Sequence, residues 1–230
     1  AAFHFSSHAN PHISSEALAD IIQDMTALAV RQEIGAEDMD EAPGALWHRA
    51  QIDAGRVTQA PDLIRAGTAI DPSGTARGDE AGIVAGGLGW CECKGKGKRE
   101  QHAFVVADAS LQGSPEKWAS AAVTAYHLHR CDRLVAEQNY GGEMVRVTIG
   151  TIKNAPTVAL VNASRGKAIR AEPVAALYEQ GKVHHVGEFS KLENEMVQWT
   201  PGDASPNRMD ALVWLLTDLM LGPQGWVRGS

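Results

Sequence analysis

The sequence predicts an α/β fold: a mixed sheet with helices on both faces, preceded by a short helical extension. Three observations carry this prediction. Between Leu63 and Asp108 three short apolar segments follow one another with turn residues between them, as consecutive antiparallel strands do. From Ser114 onward, segments with apolar residues every three to four positions alternate with short apolar runs, the pattern of helix and strand in turn. Finally, 230 residues with 44% apolar, 21% charged and 6% aromatic content suit one domain with a small appendage, and exclude collagen-like, coiled-coil and disordered chains.

Each element has its own signal. Leu63 to Asp71 is apolar and stops at Asp71-Pro72-Ser73-Gly74, a turn; Ala81 to Gly89 and Ala103 to Asp108 are the next two strands. Between those two, Lys94-Gly95-Lys96-Gly97-Lys98-Arg99 is polar and glycine-punctuated like a hairpin tip. Ser114-Pro115 opens a helix whose stripe is Trp118, Ala122, Ala125 and Leu128, ending near Arg130. Leu134 to Glu137 is a short central strand, followed by a loop at Asn139-Tyr140-Gly141-Gly142 and a short helix to about Ile149. Val158 to Val161 is another strand, then a helix runs from about Lys167 to Gln180, closed by Gly181. Val183 to Val186 is a weak strand signal, and a helix lies around Phe189 to Gln198. In the last helix Ser205 caps, Pro206 opens, Met209, Leu212, Val213, Leu216, Leu219 and Met220 form one face, and Gly222-Pro223 closes. The order β-β-β-α-β-α-β-α-α, any strand at Val183 being extra, is the ribonuclease H-like arrangement.

Residues 1–60 read differently. Ser14 or Ser15 can cap a helix with Leu18, Ile21, Ile22, Met25 and Leu28 on one face, an acidic unpatterned stretch follows, and no strand signal precedes Leu63. The expected division is a helical linker over 1–60 and the sheet-bearing domain over 61–230. The start, Ala1-Ala2-Phe3-His4, lacks an initiator Met, which favours a piece of a longer polypeptide, although Met removal leaves the same start. It also lacks the layout of a signal peptide, and no run approaches the roughly 18 apolar residues of a spanning helix. No membrane role and a cytosolic location are expected. Three cysteines, Cys91, Cys93 and Cys131, are too few for a disulfide framework and fit a reducing compartment. With a net charge of −7, any nucleic acid must be met by local cations.

Sites in open α/β sheets form beyond the carboxyl ends of strands. Asp71 ends the first strand and Glu137 the central one, so as parallel neighbours they emerge at one edge of the sheet. Asp210 lies one turn into the last helix, beside Met209 and bordering the buried face; a helix laid across that edge brings it to the other two. Three carboxylates within about 4–6 Å raise one another's pKa by whole units unless cations neutralise them. Their oxygen-only donor set suits Mg2+ or Mn2+. Two such ions about 3.5–4 Å apart activate a water and stabilise the leaving oxygen in phosphodiester hydrolysis. Each acid also has a plainer role: Asp71 as a turn residue, Asp210 as a partner of its helix dipole, whereas Glu137, continuing Leu-Val-Ala, is costly to bury unpaired.

Four segments carry a resemblance: Gly67-Thr68-Ala69-Ile70-Asp71-Pro72-Ser73-Gly74 with Gly78-Asp79-Glu80-Ala81-Gly82-Ile83-Val84; Glu137-Gln138-Asn139-Tyr140-Gly141-Gly142; Arg165-Gly166-Lys167 through Arg170-Ala171-Glu172-Pro173 to Gly181-Lys182-Val183-His184-His185-Val186-Gly187; and Ser205-Pro206-Asn207-Arg208-Met209-Asp210-Ala211-Leu212-Val213-Trp214. In this order, over roughly Leu63 to Leu221, they resemble the nuclease domain of phage large terminase subunits. His12 and the stretch from Arg31-Gln32-Glu33 to Gly44-Ala45-Leu46-Trp47 resemble the end of the terminase ATPase and its linker. The resemblance implies a metal-dependent endonuclease that cuts concatemeric viral DNA during genome packaging. Asp71 would bridge two divalent cations, Glu137 would bind one and Asp210 the other. Asp79 stands where some relatives carry a further acid, and Asn207, one turn before Asp210, stands where relatives carry His or Asp; a neutral carboxamide is the weaker ligand. It also implies the ATPase domain, portal and small terminase subunit as partners, in the cytoplasm of a bacterial host.

No G-x-x-x-x-G-K-[ST] motif occurs, so ATP hydrolysis by this chain is not expected. Lys94, Lys96, Lys98 and Arg99 at the hairpin tip are the densest basic cluster and the first candidate for DNA phosphates, a solvated turn being the alternative. Arg165 and Lys167 are the second. Neither patch has interleaved aromatics for base stacking. His4, His8 and His12 have helical metal-ligand spacing, but Asn10 and Pro11 argue against a helix there. Cys91-Glu92-Cys93 has no second pair downstream, and alternation puts both thiols on one strand face, which reads as packing; His184 and His185 point opposite ways. Two other functions fit the same residues: a different ribonuclease H-like nuclease, such as a junction resolvase, and a catalytically silent DNA-docking module.

Overall fold

The computed structural model describes residues 41–72, 80–93, 95, 97, 99–138, 142–161, 167–204 and 206–222, and of Lys167 only the backbone. The expected helix over 14–28 and the histidines before it lie outside these residues. Residues 42–230 group as one compact unit, apart from 1–41.

A short helix, α1 (Arg49–Ala54), precedes three consecutive strands, β1 (Leu63–Asp71), β2 (Gly82–Cys91) and β3 (Glu100–Asp108). Alternation follows: α2 (Pro115–Leu128), β4 (Arg133–Glu137), α3 (Gly142–Gly150), β5 (Val158–Val161), α4 (Lys167–Glu179), β6 (Val183–His185), α5 (Ser190–Gln198) and α6 (Asn207–Leu216). The six strands form one sheet in the order β5-β4-β1-β2-β3-β6, the expected mixed ribonuclease H-like arrangement. β2 is antiparallel to both neighbours and every other pairing is parallel, so the other five strands share a direction and their carboxyl ends share an edge.

Strand alternation sorts the core into two layers. Ile70, Ile83, Leu134 and Ala136 pack under α2 and α3, with Trp118, Ala122, Val145 and Ile149. Their chain neighbours Ala69, Val84 and Val135 face the other way, under α4, α5 and α6. Every residue of α6 from Arg208 to Leu216 is buried, because the helix lies between the sheet and the outer helices. Trp47 and Ile52 join this layer, Trp47 meeting the Tyr178 ring edge-on at 6.5 Å.

Three features depart from the sequence reading. Val183–His185 is a true strand, held by parallel pairing with Ala103, Phe104 and Val105, which local propensity does not reveal. The last helix begins at Asn207 with Pro206 as its cap position. It also turns into a π-helical segment at Thr217–Leu221, which Arg65 holds by donating to the Leu219 carbonyl and Arg133 by pairing with Asp218 at 3.4 Å.

Glu193 of α5, 1% exposed, binds the linker side to the sheet. His185 Nδ1 donates to its Oε1 at 2.8 Å, Arg56 reaches both oxygens at 2.7 and 2.9 Å, and Arg49 reaches Oε2 at 3.2 Å. Burial alone would raise this carboxyl, but the hydrogen bonds from His185 and Arg56 outweigh it and bring it down from 4.5 to about 2. Folding therefore favours the ionised form: the stabilisation is present above pH 4.5 and is lost as pH falls toward 2. Glu193→Gln should lower stability at neutral pH by roughly 3 kcal/mol and flatten the acid limb of the stability profile, measured by urea unfolding at several pH values. An unchanged acid limb would remove Glu193 from this role.

Candidate functional site

Asp71 closes β1 opposite Gly82 of β2. Thr68, Ala69 and Ile70 are in parallel register with Leu134, Val135 and Ala136, and one further step brings Asp71 level with Glu137, which itself pairs with Val161. Ile70 and Ala136 face α2 and α3, so the pleat turns Asp71 and Glu137 to the α6 side. Glu137 meets Arg170 of α4 there, Nη1 to Oε2 at 3.7 Å.

Asp210, 5% exposed, belongs to α6, whose first turn rests on β2. A Cβ on Gly82 would stand 1.9 Å from the Asn207 carbonyl oxygen and 2.8 Å from the Arg208 nitrogen, so only glycine allows this approach. One turn beyond Asp210 on the same side is Trp214, and the Arg170 guanidinium lies 4.1 Å from its ring centroid. A succession of neighbours runs along this edge: Asp71 pairs with Gly82, the start of α6 at Asn207 rests on Gly82, Asp210 and Trp214 follow one and two turns along the helix, Arg170 lies over Trp214, and Glu137 meets Arg170. Gly142 fixes the exit from Glu137 in the same way, since a Cβ there would stand 2.4 Å from the Glu137 carbonyl.

Further acids crowd the same edge. Arg208 of α6 donates to Asp108 at 3.0 Å and Glu195 at 3.1 Å, and it pairs with Glu80 as well. The Asn207 carboxamide nitrogen donates to the Glu80 carbonyl. Burial pushes Asp108 up, against hydrogen bonds from Ser110. Glu195 rises further, to about 8: burial dominates, the charges of Asp108 and Asp210 add to it, and the backbone N–H groups of Met209 and Arg208 only partly oppose it. Glu195 therefore stays protonated below about pH 8, and the Arg208 guanidinium is left facing Glu80 and Asp108.

The basic candidates divide. Lys94, Lys96, Lys98 and Arg165 lie outside the described residues, as does Asp79. Arg99 stands at the β2–β3 tip, beside Glu92 at 3.4 Å and 5.9 Å from the Trp90 ring centroid. That tip is at the far end of β2 from Gly82, roughly 30 Å away for a strand of this length. Lys167 begins α4, the helix that follows β5. Sequence reasoning gave no role to Arg170, Arg208 or Glu195. Arg208 carries a signal in retrospect, a charge inside an otherwise apolar helix face. Arg170 carries none, because its environment is made by Trp214 and Glu137 from other elements.

Gly82→Ala should destabilise the chain by about 3 kcal/mol in urea unfolding, through the forced shift of the α6 start. Gly150→Ala, with nothing within 4 Å of the added Cβ, should be neutral or mildly stabilising and serves as the control. Equal effects of the two would contradict the close approach.

A family model described as a terminase RNaseH-like domain matches residues 68–219. Among solved structures, the large terminase of a thermophilic bacteriophage is similar with a TM-score of 0.51 and 12% identity, over 96% of this chain and 56% of that one. The HK97 bacteriophage large terminase gives 0.53 and 10%, over 90% and 51%. The nuclease domain of the large terminase subunit gp2 of bacterial virus Sf6 gives 0.50 and 13%, over 74% and 96%. A comparison with curated proteins gives no match. The chain thus spans about half the length of the thermophilic-phage and HK97 proteins, and at these identities the structural likeness concerns the fold. The family match covers β1 from Thr68, the other five strands, both acid-bearing sheet ends and the last helix: the chain belongs to the terminase ribonuclease H-like domain family.

Proposed function

We propose that this chain is the nuclease domain of a large terminase, an endonuclease that cuts concatemeric viral double-stranded DNA during genome packaging. The observation that supports the reading is the parallel register that ends β1 and β4 at Asp71 and Glu137, with the start of the Asp210 helix resting on Gly82 opposite Asp71. The family match and the likeness to a phage large-terminase nuclease domain support it.

The donor set fits hard divalent cations. Asp71, Glu137 and Asp210 offer only carboxylate oxygens, and three such groups gathered at one edge would call for a counter-ion. Asp71, Glu137 and Asp210 would hold two ions, Mg2+ or Mn2+, with Asp79 and Asn207 as secondary candidates. When bound, such ions supply a water acidified toward hydroxide and charge neutralisation at the leaving oxygen. The protein's own part is placement. Asp71 and Glu137 are fixed by the strand ends, and Asp210 by a helix that cannot roll because all its sides are packed. Arg170, pinned on Trp214, positions the Glu137 carboxylate; among the described residues its Nε and Nη1 make no hydrogen bond. Lys167 and Arg165 would take backbone phosphates, and Lys94, Lys96, Lys98 and Arg99 would supply a second contact.

In the full-length protein the partners would be an ATPase domain, to which residues 1–60 would lead, the portal and the small terminase subunit, in the cytoplasm of the bacterial host. Among the described residues, no helix is long and apolar enough to cross a membrane. Without a phosphate-binding loop this chain should not hydrolyse ATP.

Asp71→Asn, Glu137→Gln and Asp210→Asn should each lower plasmid cleavage in Mn2+ by about a thousandfold or more while the circular dichroism spectrum and cooperative unfolding stay like wild type. Wild-type rates in any two of them would defeat the assignment. Preference for branched junctions over linear duplex would point to a resolvase, and metal-indifferent binding without cleavage to a docking module.

A further inference from the structure

At the end of the sheet opposite the acids, four side chains from three strands and a turn converge. Cys91 ends β2, Cys93 lies in the turn after it, His102 is on β3 and His184 on β6, and one ligand atom from each lies within 4.8 Å of all the others. His102 and His184 are 1% and 5% exposed, with rings stacked at 5.1 Å. Cys93 Sγ lies 3.4 Å from His102 Nδ1 and 3.6 Å from His184 Nε2. Edges of a tetrahedral zinc site with Zn–S near 2.3 Å and Zn–N near 2.0–2.1 Å are roughly 3.3–3.8 Å. From this convergence we infer a second, unrelated metal site: a Cys2His2 zinc centre formed by Cys91, Cys93, His102 and His184.

The outer contacts set both imidazoles for ligation. His184 Nδ1 donates to the Gly55 carbonyl at 2.7 Å, which leaves Nε2 with its lone pair turned to the cluster. His102 Nε2 lies 3.7 Å from the Glu100 carboxylate, and a proton held on that side would leave Nδ1 as the ligand atom. His102 Nδ1 and His184 Nε2 lie 2.8 Å apart, within hydrogen-bond distance, so a proton shared between them is what an entering cation would displace. Sulfur and imidazole nitrogen select zinc over the hard ions of the acid edge.

In the structure the Cys91 and Cys93 sulfurs are joined as a disulfide, where the sequence suggested packed thiols. The zinc site belongs to the reduced pair. A phosphine or thiol reductant supplies two electrons, breaks the S–S bond and is itself oxidised, leaving two thiols. Zinc then displaces both thiol protons, and two thiolates cancel its charge. The ion would clamp the tip end of the β2–β3 hairpin to β6 and, through Gly55, to the segment after α1.

The test uses the whole chain, treated with a phosphine, equilibrated with zinc and desalted. Metal analysis should find about one zinc per chain, and Co2+ in its place should give a thiolate-to-metal charge-transfer band. The Cys91→Ser/Cys93→Ser double variant, altered near the surface, should lose the band and at least nine-tenths of the zinc. Asp71→Asn should keep both, so this result stands or falls apart from the nuclease reading. Zinc well below stoichiometry in the reduced wild type, equal zinc in the double variant, or a disulfide that survives phosphine treatment would overturn the proposal.

Discussion

The arrangement of the acid edge depends on one close approach, that of the α6 backbone to Gly82. A side chain at that position would lift the start of the helix, and with it Asp210, away from the strand that pairs with Asp71. Helix and sheet otherwise meet through side chains, about 10 Å apart for packed layers, and the missing Cβ lets the start of α6 come closer than that. Removing one Cβ brings backbone against backbone. The burial of α6 from Arg208 to Leu216 then resists any roll of the helix that would swing Asp210 out of line.

The electrostatics of the edge follow from that contact. Bringing α6 down places Arg208 among Glu80, Asp108 and Glu195, and each of those acids gains a partner it would lack if the helix stood off. A buried guanidinium of this kind is more a device of register than of stability, since breaking it leaves unpaired charge in a poorly solvated place whereas an apolar substitute of equal volume costs little. Arg170 has a parallel position on the other flank, its plane over Trp214 and its charge toward Glu137. Two arginines thus flank an acidic patch from opposite sides, and neither neutralises it fully.

Where local chemistry decides an element, the sequence was sufficient to find it. Pro72 after Asp71 stops β1 at its observed last residue, Ser114-Pro115 starts α2, and the apolar stripe of the last helix marks α6. The parallel placement of Asp71 beside Glu137 was legible too, because a carboxylate directly continuing an apolar strand has few other uses. What was not legible depends on distant partners. The three-residue strand at Val183 exists through β3, the π segment through Arg65 and Arg133, and Arg170 acquires its surroundings from Trp214 and Glu137. The cysteine-histidine cluster is the clearest instance. Short-range spacing around Cys91 and Cys93 points to packing, and only the fold brings His102 and His184 to them.

The length of β2 has a consequence for how any duplex could lie on the molecule. This strand separates the hairpin tip from the acid edge, and at roughly 3.3 Å per residue its ten residues act as a ruler of about 30 Å. At about 3.4 Å per base pair that is close to nine steps, nearly one full turn of B-form DNA. A double helix touching both Arg99 and Asp71 would therefore meet them roughly five-sixths of a turn apart, on faces that differ by about 60°.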